Sequence, residues 1–362
     1  MNEKKTTLLK IDALAPEPEK IAAAADFIKR GKTVVFPTET VYGLGANALD
    51  GVACAEIFRI KERPQDNPLI VHVSSLEMAE RFGVIPSKYH EKIKHIWPSP
   101  ITFIAEAKEK LPPQVTAGLD TVALRMPAHP VALSLITKAG CPIAAPSANP
   151  SRKPSAANAV TAIKYLDGKV DCIIDSGAAF FGLESTIIDL RDFTILRPGP
   201  FSPDEIEKVF GEKPKVGDIA RGLKTEGIPV SPGTKYRHYS PETPLMLFAG
   251  EDESLLDIIN EFDDLPPFAF IGSAETCSVA SAELGASTVS LGHRADPYEI
   301  AKNLYDALIL VDSLGVGFGV VENFEEKGIG LAIMNRLRKA CGGREFKNAA
   351  DFRKYLDGIF QQ

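Results

Sequence analysis

Short apolar runs alternate with amphipathic stretches along the first half of the chain, a rhythm that predicts strands and helices within one sheet-based domain. Lys20–Arg30 reads as an alanine-rich helix, with Pro16 and Pro18 ahead of it and Gly31 placed to end it. Thr33–Phe36 is the first expected strand. Asp50 can cap a second helix, in which Ala53, Ile57 and Ile60 share a face until Pro64. Further strands are expected at Leu69–Val73, Ile101–Ala105, Val122–Leu124, Ile143–Ala144, Cys172–Ile174, Ser185–Leu190 and Thr194–Leu196. Helices are expected at Ser75–Phe82, Ser87–Ile96, Val131–Ala139 and Ala156–Leu166. The last three strands follow one another closely, so the domain is α/β without simple βαβ alternation. Ser202-Pro203-Asp204-Glu205 has the form of a capping box and predicts a short helix ending near Phe210.

From Gly211 to Pro244 the chain becomes rich in Gly, Pro and Lys and loses apolar periodicity, which is a linker by composition. Beyond it, Leu245–Phe248, Phe268–Ile271 and Val316–Val321 read as strands. Helices near Glu253–Phe262, Pro297–Ser313 and Leu331–Cys341 complete a second, smaller α/β domain. The expected division is therefore 1–210, a linker over 211–243, and 244–362.

With 44% hydrophobic and 25% charged residues, the 362-residue chain has the composition of a water-soluble globular protein. No apolar run approaches a bilayer span and the first residues lack a signal-peptide core, so a cytoplasmic protein without membrane contact is expected. The five cysteines stand far apart with no C-x-x-C pair, which argues for reduced thiols and against a zinc site. The net charge of −7 arises wholly after residue 213, since residues 1–213 hold 26 basic and 26 acidic side chains. The acidic second part is thus poorly suited to gripping a nucleic-acid backbone, whereas the neutral first part can hold a local basic groove.

Several segments carry candidate chemistry. Val34–Gly45 is an apolar run that stops at Pro37 and opens into Thr38, Glu39 and Thr40, then Tyr42-Gly43-Leu44-Gly45, as a strand-end site or an ordinary strand exit would. Lys61 and Arg63 sit where a helix meets a loop, either as a solvated helix end or as a clamp for phosphates. His72 and Arg125 fall near the ends of apolar strands. A guanidinium buried there needs an anion, from the protein or from a ligand. Ala144–Ser151 is a run of small and polar residues that allows close backbone approach. No P-loop sequence is present, and Gly43–Ala48 fits G-x-G-x-x-A only loosely because Pro37–Thr40 separates it from the strand.

Taken jointly, PTETVYGLG (37–45), KERPQDNPLIVHV (61–73), TVALRMP (121–127), APSANPS (145–151), GLESTIIDL (182–190) and ILRPG (195–199) resemble the YrdC-type threonylcarbamoyl-AMP synthases. SPGTKYRHYSP (231–241) resembles the linker of their two-domain members. The resemblance implies a twisted mixed YrdC-like sheet with a positively lined cleft, followed by a Rossmann-like domain. It implies a nucleotidyltransferase that condenses L-threonine, bicarbonate and ATP into threonylcarbamoyl-AMP and releases pyrophosphate. The product would feed a downstream tRNA-modifying transferase complex acting at adenosine 37, with tRNA contact to this chain left open.

By the same resemblance, Thr40, His72, Arg125 and Ser185 would hold threonine. Lys61 and Arg63, as catalytic residues, would grip ATP with Asn67, Ser147, Asn149 and Arg197, while Thr121, Ala145 and Ser155 would neighbour the nucleotide. From the linker's own residues, in which Lys235–Tyr239 packs two cations and two aromatics, either an inert linker or a lid with Tyr236 and Arg237 reaching the nucleotide is expected. Mg2+ would accompany ATP, with no dedicated protein ligand. Two other classes fit the residues less well: an RNA-binding module without chemistry, and a carbamoyl-transfer enzyme with another acceptor.

Overall fold

The computed structural model describes residues 4–223, 239–250, 255–262 and 265–360. They fall into two compact units. The first runs to Ala220 but omits Arg152–Pro154, and the second holds those three residues, Arg221–Leu223 and the described residues from Tyr239 onward.

The first unit is built on a mixed sheet of 12 strands. Eleven follow one path: Thr7–Lys10, Cys172–Asp175, Val34–Phe36, Gly43–Asn47, Ile143–Ala145, Ile70–His72, Thr121–Arg125, Ile101–Ala107, Thr186–Asp189, Thr194–Arg197 and Lys215–Val216. Gly83–Val84 pairs with Ile101–Ala107 off that path. One face carries Val35, Val71, Leu124, Phe103 and Ile188 against Ile57, Phe58 and Phe82 of the covering helices. On the other face, Val34, Phe36, Ile143 and Ile174 pack under the helices Pro18–Lys29 and Pro130–Ala139. Farther along that second face Ile70, Ile104, Ala123 and Ile187 cluster with Leu196 against them, and there the polar residues gather.

The helices begin where short polar side chains can replace missing backbone partners. Asp50 accepts from the Val52 and Ala53 amides to start Gly51–Lys61, and Glu62 ends that helix in the left-handed region at φ 51°. Ser202 and Glu205 form the reciprocal capping box ahead of Pro203–Phe210. Ser75 and Asn158 are caps, so the helices they start span Leu76–Phe82 and Ala159–Leu166.

One segment differs in kind from its sequence reading. Gly43–Asn47 is a buried strand antiparallel to Val34–Phe36, not a glycine loop leading to a helix. Its glycines are space requirements: a Cβ on Gly45 would lie 2.6 Å from Ile143 Cγ2 and 2.7 Å from Phe36 Cε1. The G-x-G-x-x-A match therefore has no phosphate-loop geometry behind it. Thr7–Lys10 is a further strand that periodicity did not indicate. Within the stretch read as linker, Lys215–Val216 pairs with Thr194–Ile195, and Asp218–Arg221 forms one helical turn.

The second unit is a five-stranded, all-parallel sheet in the order Ser287–Ser290, Phe268–Gly272, Phe318–Val321, Leu245–Phe248, Glu345–Phe346. Its helices include Pro297–Val311 and Gly330–Cys341, close to expectation, and Ala274–Leu284 and Ala349–Phe360, which periodicity did not indicate. No helix among the described residues is long and apolar enough to cross a membrane.

Candidate active site

Strand register assembles the first group of polar side chains. His72 pairs with Arg125, Arg125 with Thr102, Thr102 with Ile187, and Ile187 with Arg197, so these residues form one row on one face across five strands. A register irregularity between Ile187 and Ile188 sets Arg197 opposite Ile187. Burial orders the row tightly, with His72, Thr102, Arg125, Ser185 and Arg197 all at 4% exposure or less.

Hydrogen bonds link the side chains of the row to one another and to Glu39 and Thr40. The Arg125 Nη2 group donates to Glu39 Oε1 and to Thr40 Oγ1, both at 2.8 Å. Thr38 and Thr40 share a hydroxyl–hydroxyl bond of 2.8 Å. Ser185 Oγ lies 2.7 Å from Thr102 Oγ1, and Arg197 donates to Ser185 O and Oγ, each at 3.1 Å. The His72 ring meets Phe36 edge-on at 5.8 Å. Burial, aided by the Arg125 charge, pushes the His72 imidazole down to about 3, so it is neutral at physiological pH.

A second group gathers at the opposite end of the Ile70–His72 strand. Lys61, fully buried at a helix end, donates to Ser147 O at 2.5 Å and also to Asn149 O. Ser151 N returns a bond to Lys61 O at 2.8 Å, tying the small-residue loop to the helix end. Arg63 donates to the carbonyls of Asn67 at 3.3 Å and Pro68 at 3.1 Å. The register pairing Ile70 with Ala123 and Ala145 puts Thr121 beside Pro68 and Ala145 beside Ile70. Burial and the Arg63 charge hold the Lys61 ammonium well below the usual lysine range, with Glu184 opposing. Ser155 donates to Glu184 Oε1 at 2.6 Å, and Glu184 precedes Ser185, so this contact joins the two groups.

Thr40, His72, Arg125, Ser185 and Arg197 are thus brought together, as are Lys61, Arg63, Asn67, Thr121, Ala145, Ser147 and Asn149. Arg197 was expected with Lys61 and Arg63, and its hydrogen bonds to Ser185 place it in the first group. Tyr236 and Arg237 lie outside the described residues. Thr102 and Glu184 were not singled out and Glu39 was noted without a role, although an acid beside a hydroxyl in buried surroundings marks both Glu39-Thr40 and Glu184-Ser185.

Comparison with known proteins places the chain in a family. Residues 26–199 match a family model described as telomere recombination, and residues 201–342 match one described as threonylcarbamoyl-AMP synthase, C-terminal domain. The threonylcarbamoyl-AMP synthase of Pyrococcus abyssi is 45% identical over 91% of this chain and 96% of its own. That of Bacillus subtilis is 42% identical over 92% and 96%. The chain belongs to the threonylcarbamoyl-AMP synthase family. Among solved structures, Pyrococcus abyssi Sua5 complexed with L-threonine aligns with a TM-score of 0.85 and 42% identity, over 94% of this chain and 99% of that one.

As a threonylcarbamoyl-AMP synthase the protein is a nucleotidyltransferase, and the expected fold, a large mixed sheet followed by a smaller parallel α/β unit, is the one observed. Within this synthase Gly199 fixes the first group from behind. A Cβ there would lie 2.3 Å from Thr186 N and 2.6 Å from Glu184 O, so only glycine lets the Arg197–Gly199 turn approach the Glu184–Thr186 backbone.

Proposed function

We propose that the first unit makes threonylcarbamoyl-AMP from L-threonine, bicarbonate and ATP, with pyrophosphate leaving. The observation that carries this reading is the register row holding His72, Arg125 and Arg197, with Lys61 and Arg63 at the other end of the same strands. One group suits a small amino acid with a carboxylate, and the other suits phosphates. Thr40, His72, Arg125 and Ser185 hold threonine, with Arg125 pairing its carboxylate. Lys61, Arg63, Asn67, Ser147 and Asn149 grip the triphosphate, Thr121, Ala145 and Ser155 border the nucleotide, and Arg197 steadies Ser185 between them.

The chemistry asks mainly for positioning and charge stabilisation. Threonine's free amine and bicarbonate give a carbamate and water. A carbamate oxygen then bonds to the α-phosphorus as the bond to pyrophosphate breaks. Lys61 lies against the carbonyls of Ser147 and Asn149 and Arg63 against those of Asn67 and Pro68, and from there the Arg63 charge would face the phosphates. Among the described residues no three or more His, Cys, Asp or Glu side chains converge to hold a metal. Magnesium would accompany ATP's phosphates, where it would supply further neutralising charge. We assign the catalytic work to residues 1–210, with 211–243 as linker and 244–362 as the second domain. The product would pass to a separate tRNA-modifying transferase complex in the cytoplasm.

Pyrophosphate release measured with threonine, bicarbonate, ATP and magnesium tests the reading, since omitting any one substrate should abolish the signal. Arg63→Ala should raise the KM for ATP about 10- to 100-fold and leave threonine affinity nearly unchanged, while Arg125→Ala should do the reverse. Small, equal effects of both substitutions on both substrates would contradict the assignment.

A further inference from the structure

The ion pair between Glu39 and Arg125 is incomplete in an informative way. Both side chains are almost fully buried, at 7% and 5% exposure, and one bond of 2.8 Å joins Glu39 Oε1 to Arg125 Nη2. Glu39 Oε2 and Arg125 Nε are buried and make no hydrogen bond. Nε and Nη2 are the two parallel donors with which a guanidinium takes a carboxylate side-on. Glu39 uses one of them and leaves the other idle, and half of its own carboxylate is idle as well. Buried charges with unmet donors and acceptors are costly, so such a pair is a poor device for stability alone.

The surroundings decide what can complete it. Thr40 Oγ1 takes the second Nη2 hydrogen, and the neutral His72 lies beside Arg125 in the register. His129 also feels the Glu39 charge, but burial disfavours its protonated form. Neither histidine therefore supplies a standing cation for Glu39. A simple carboxylic acid entering the pocket would place two carboxylates on one guanidinium. A molecule carrying a carboxylate and an ammonium on adjacent atoms meets both needs, the first on the Arg125 fork and the second on Glu39.

We propose that Glu39 and Arg125 together form a reader of the amino-acid zwitterion, in which Glu39 pairs with the substrate's α-ammonium. In the ligand-free enzyme the two groups hold each other, and threonine exchanges that single contact for two. Glu39 is thereby a specificity-determining residue that admits α-amino acids and excludes hydroxy acids of the same shape. Once the ammonium has given up a proton to solvent and the free amine has combined with bicarbonate to give the carbamate and water, the Glu39 charge repels the new anion and the Arg63 guanidinium attracts it. The inference rests on the assignment of Arg125 to the threonine carboxylate.

Calorimetric titration of the full chain with threonine, with 3-hydroxybutyrate (threonine without its amine) and with ATP tests it. Wild-type enzyme should bind threonine and bind 3-hydroxybutyrate at least 10-fold more weakly, an estimate of about one charged contact. Glu39→Gln should lose roughly 10- to 100-fold in threonine affinity, hold or gain affinity for 3-hydroxybutyrate, and bind ATP as wild type does. Glu39→Asp, which keeps the charge on a shorter arm, should fall between the two. Equal losses for both ligands, or threonine affinity kept within twofold in Glu39→Gln, would overturn the zwitterion reader. Arg125→Gln separates the two layers of argument: undiminished threonine binding there removes the underlying assignment, whatever Glu39 does.

Discussion

His72 shows how a single buried side chain couples this fold to pH. In the folded chain its imidazole titrates at about 3, against 6.5 when unfolded. Between those values the unfolded chain binds a proton that the folded chain refuses, so stability falls as pH drops from about 6.5 towards 3. Above 6.5 both forms are neutral and the contribution is complete. The loss across that window is on the order of a few kcal/mol. His72→Gln removes the titrating group, so its denaturation midpoint should decline less steeply than wild type between pH 7 and pH 4. Parallel curves for the two proteins would show that His72 is not protonated differently on unfolding. Lys61 follows similar physics in a second setting, a buried ammonium held by the Ser147 and Asn149 carbonyls with Arg63 close by. Conserving its charge through Lys61→Arg does not conserve the site, because the space under those carbonyls suits a compact ammonium and not a planar fork.

At the scale of elements, backbone proximity decides which substitutions the site tolerates. Gly199→Ala sets a Cβ against Thr186 N and Glu184 O, both backbone atoms that cannot rotate aside. It should push Ser185 and Arg197 out of the row, cost about 2–4 kcal/mol in unfolding and weaken threonine binding more than ATP binding. Unchanged titrations with both ligands would refute that role for the turn. Ser202→Ala removes a cap and one half of a reciprocal pair, and should lower stability by about 1 kcal/mol without changing either affinity. The same scale explains what the sequence disclosed. Val34–Phe36, Ile70–His72 and Thr121–Arg125 were legible because buried β-branched residues mark strands, and their ends carry the candidate side chains. Alternation along Leu69–Val73 puts Val71 and His72 on opposite faces, and the packing has them so. Gly43–Asn47 was not legible, because glycine has low strand propensity and presents no side chain to alternate. Neither was the Glu39–Arg125 pair, since a contact across 86 positions leaves no local pattern.

The two units are built differently, and this difference can be tested through one acid in the second unit. Ala274–Leu284 escaped sequence reading because few of its residues are buried, Cys277 and Ala280 among them, so it has scarcely an apolar stripe. What fixes its start is polar. Glu322, 3% exposed at the end of Phe318–Val321, accepts from Ser273 N at 2.5 Å and Thr276 Oγ1 at 2.9 Å, and pairs with Arg294. A Cβ on Gly272 would come within 2.4 Å of Glu322 Oε2, so the neighbouring strand is shaped around this carboxylate. An internal anion already occupies the helix start, where a nucleotide-binding sheet would receive a phosphate. The second sheet, Rossmann-like in its parallel strands, is therefore expected to bind no nucleotide there. Glu322→Ala should strip the partners from Ser273, Thr276 and Arg294 and destabilise the second unit by about 2–4 kcal/mol. Hydrogen exchange along the full chain should show faster opening of Phe268–Gly272 and Phe318–Val321, with Ile70–His72 and Thr121–Arg125 protected as before. Pyrophosphate release should then persist at temperatures where the second unit remains folded. Equal loss of protection in both sheets would mean that the two cores unfold as one cooperative body.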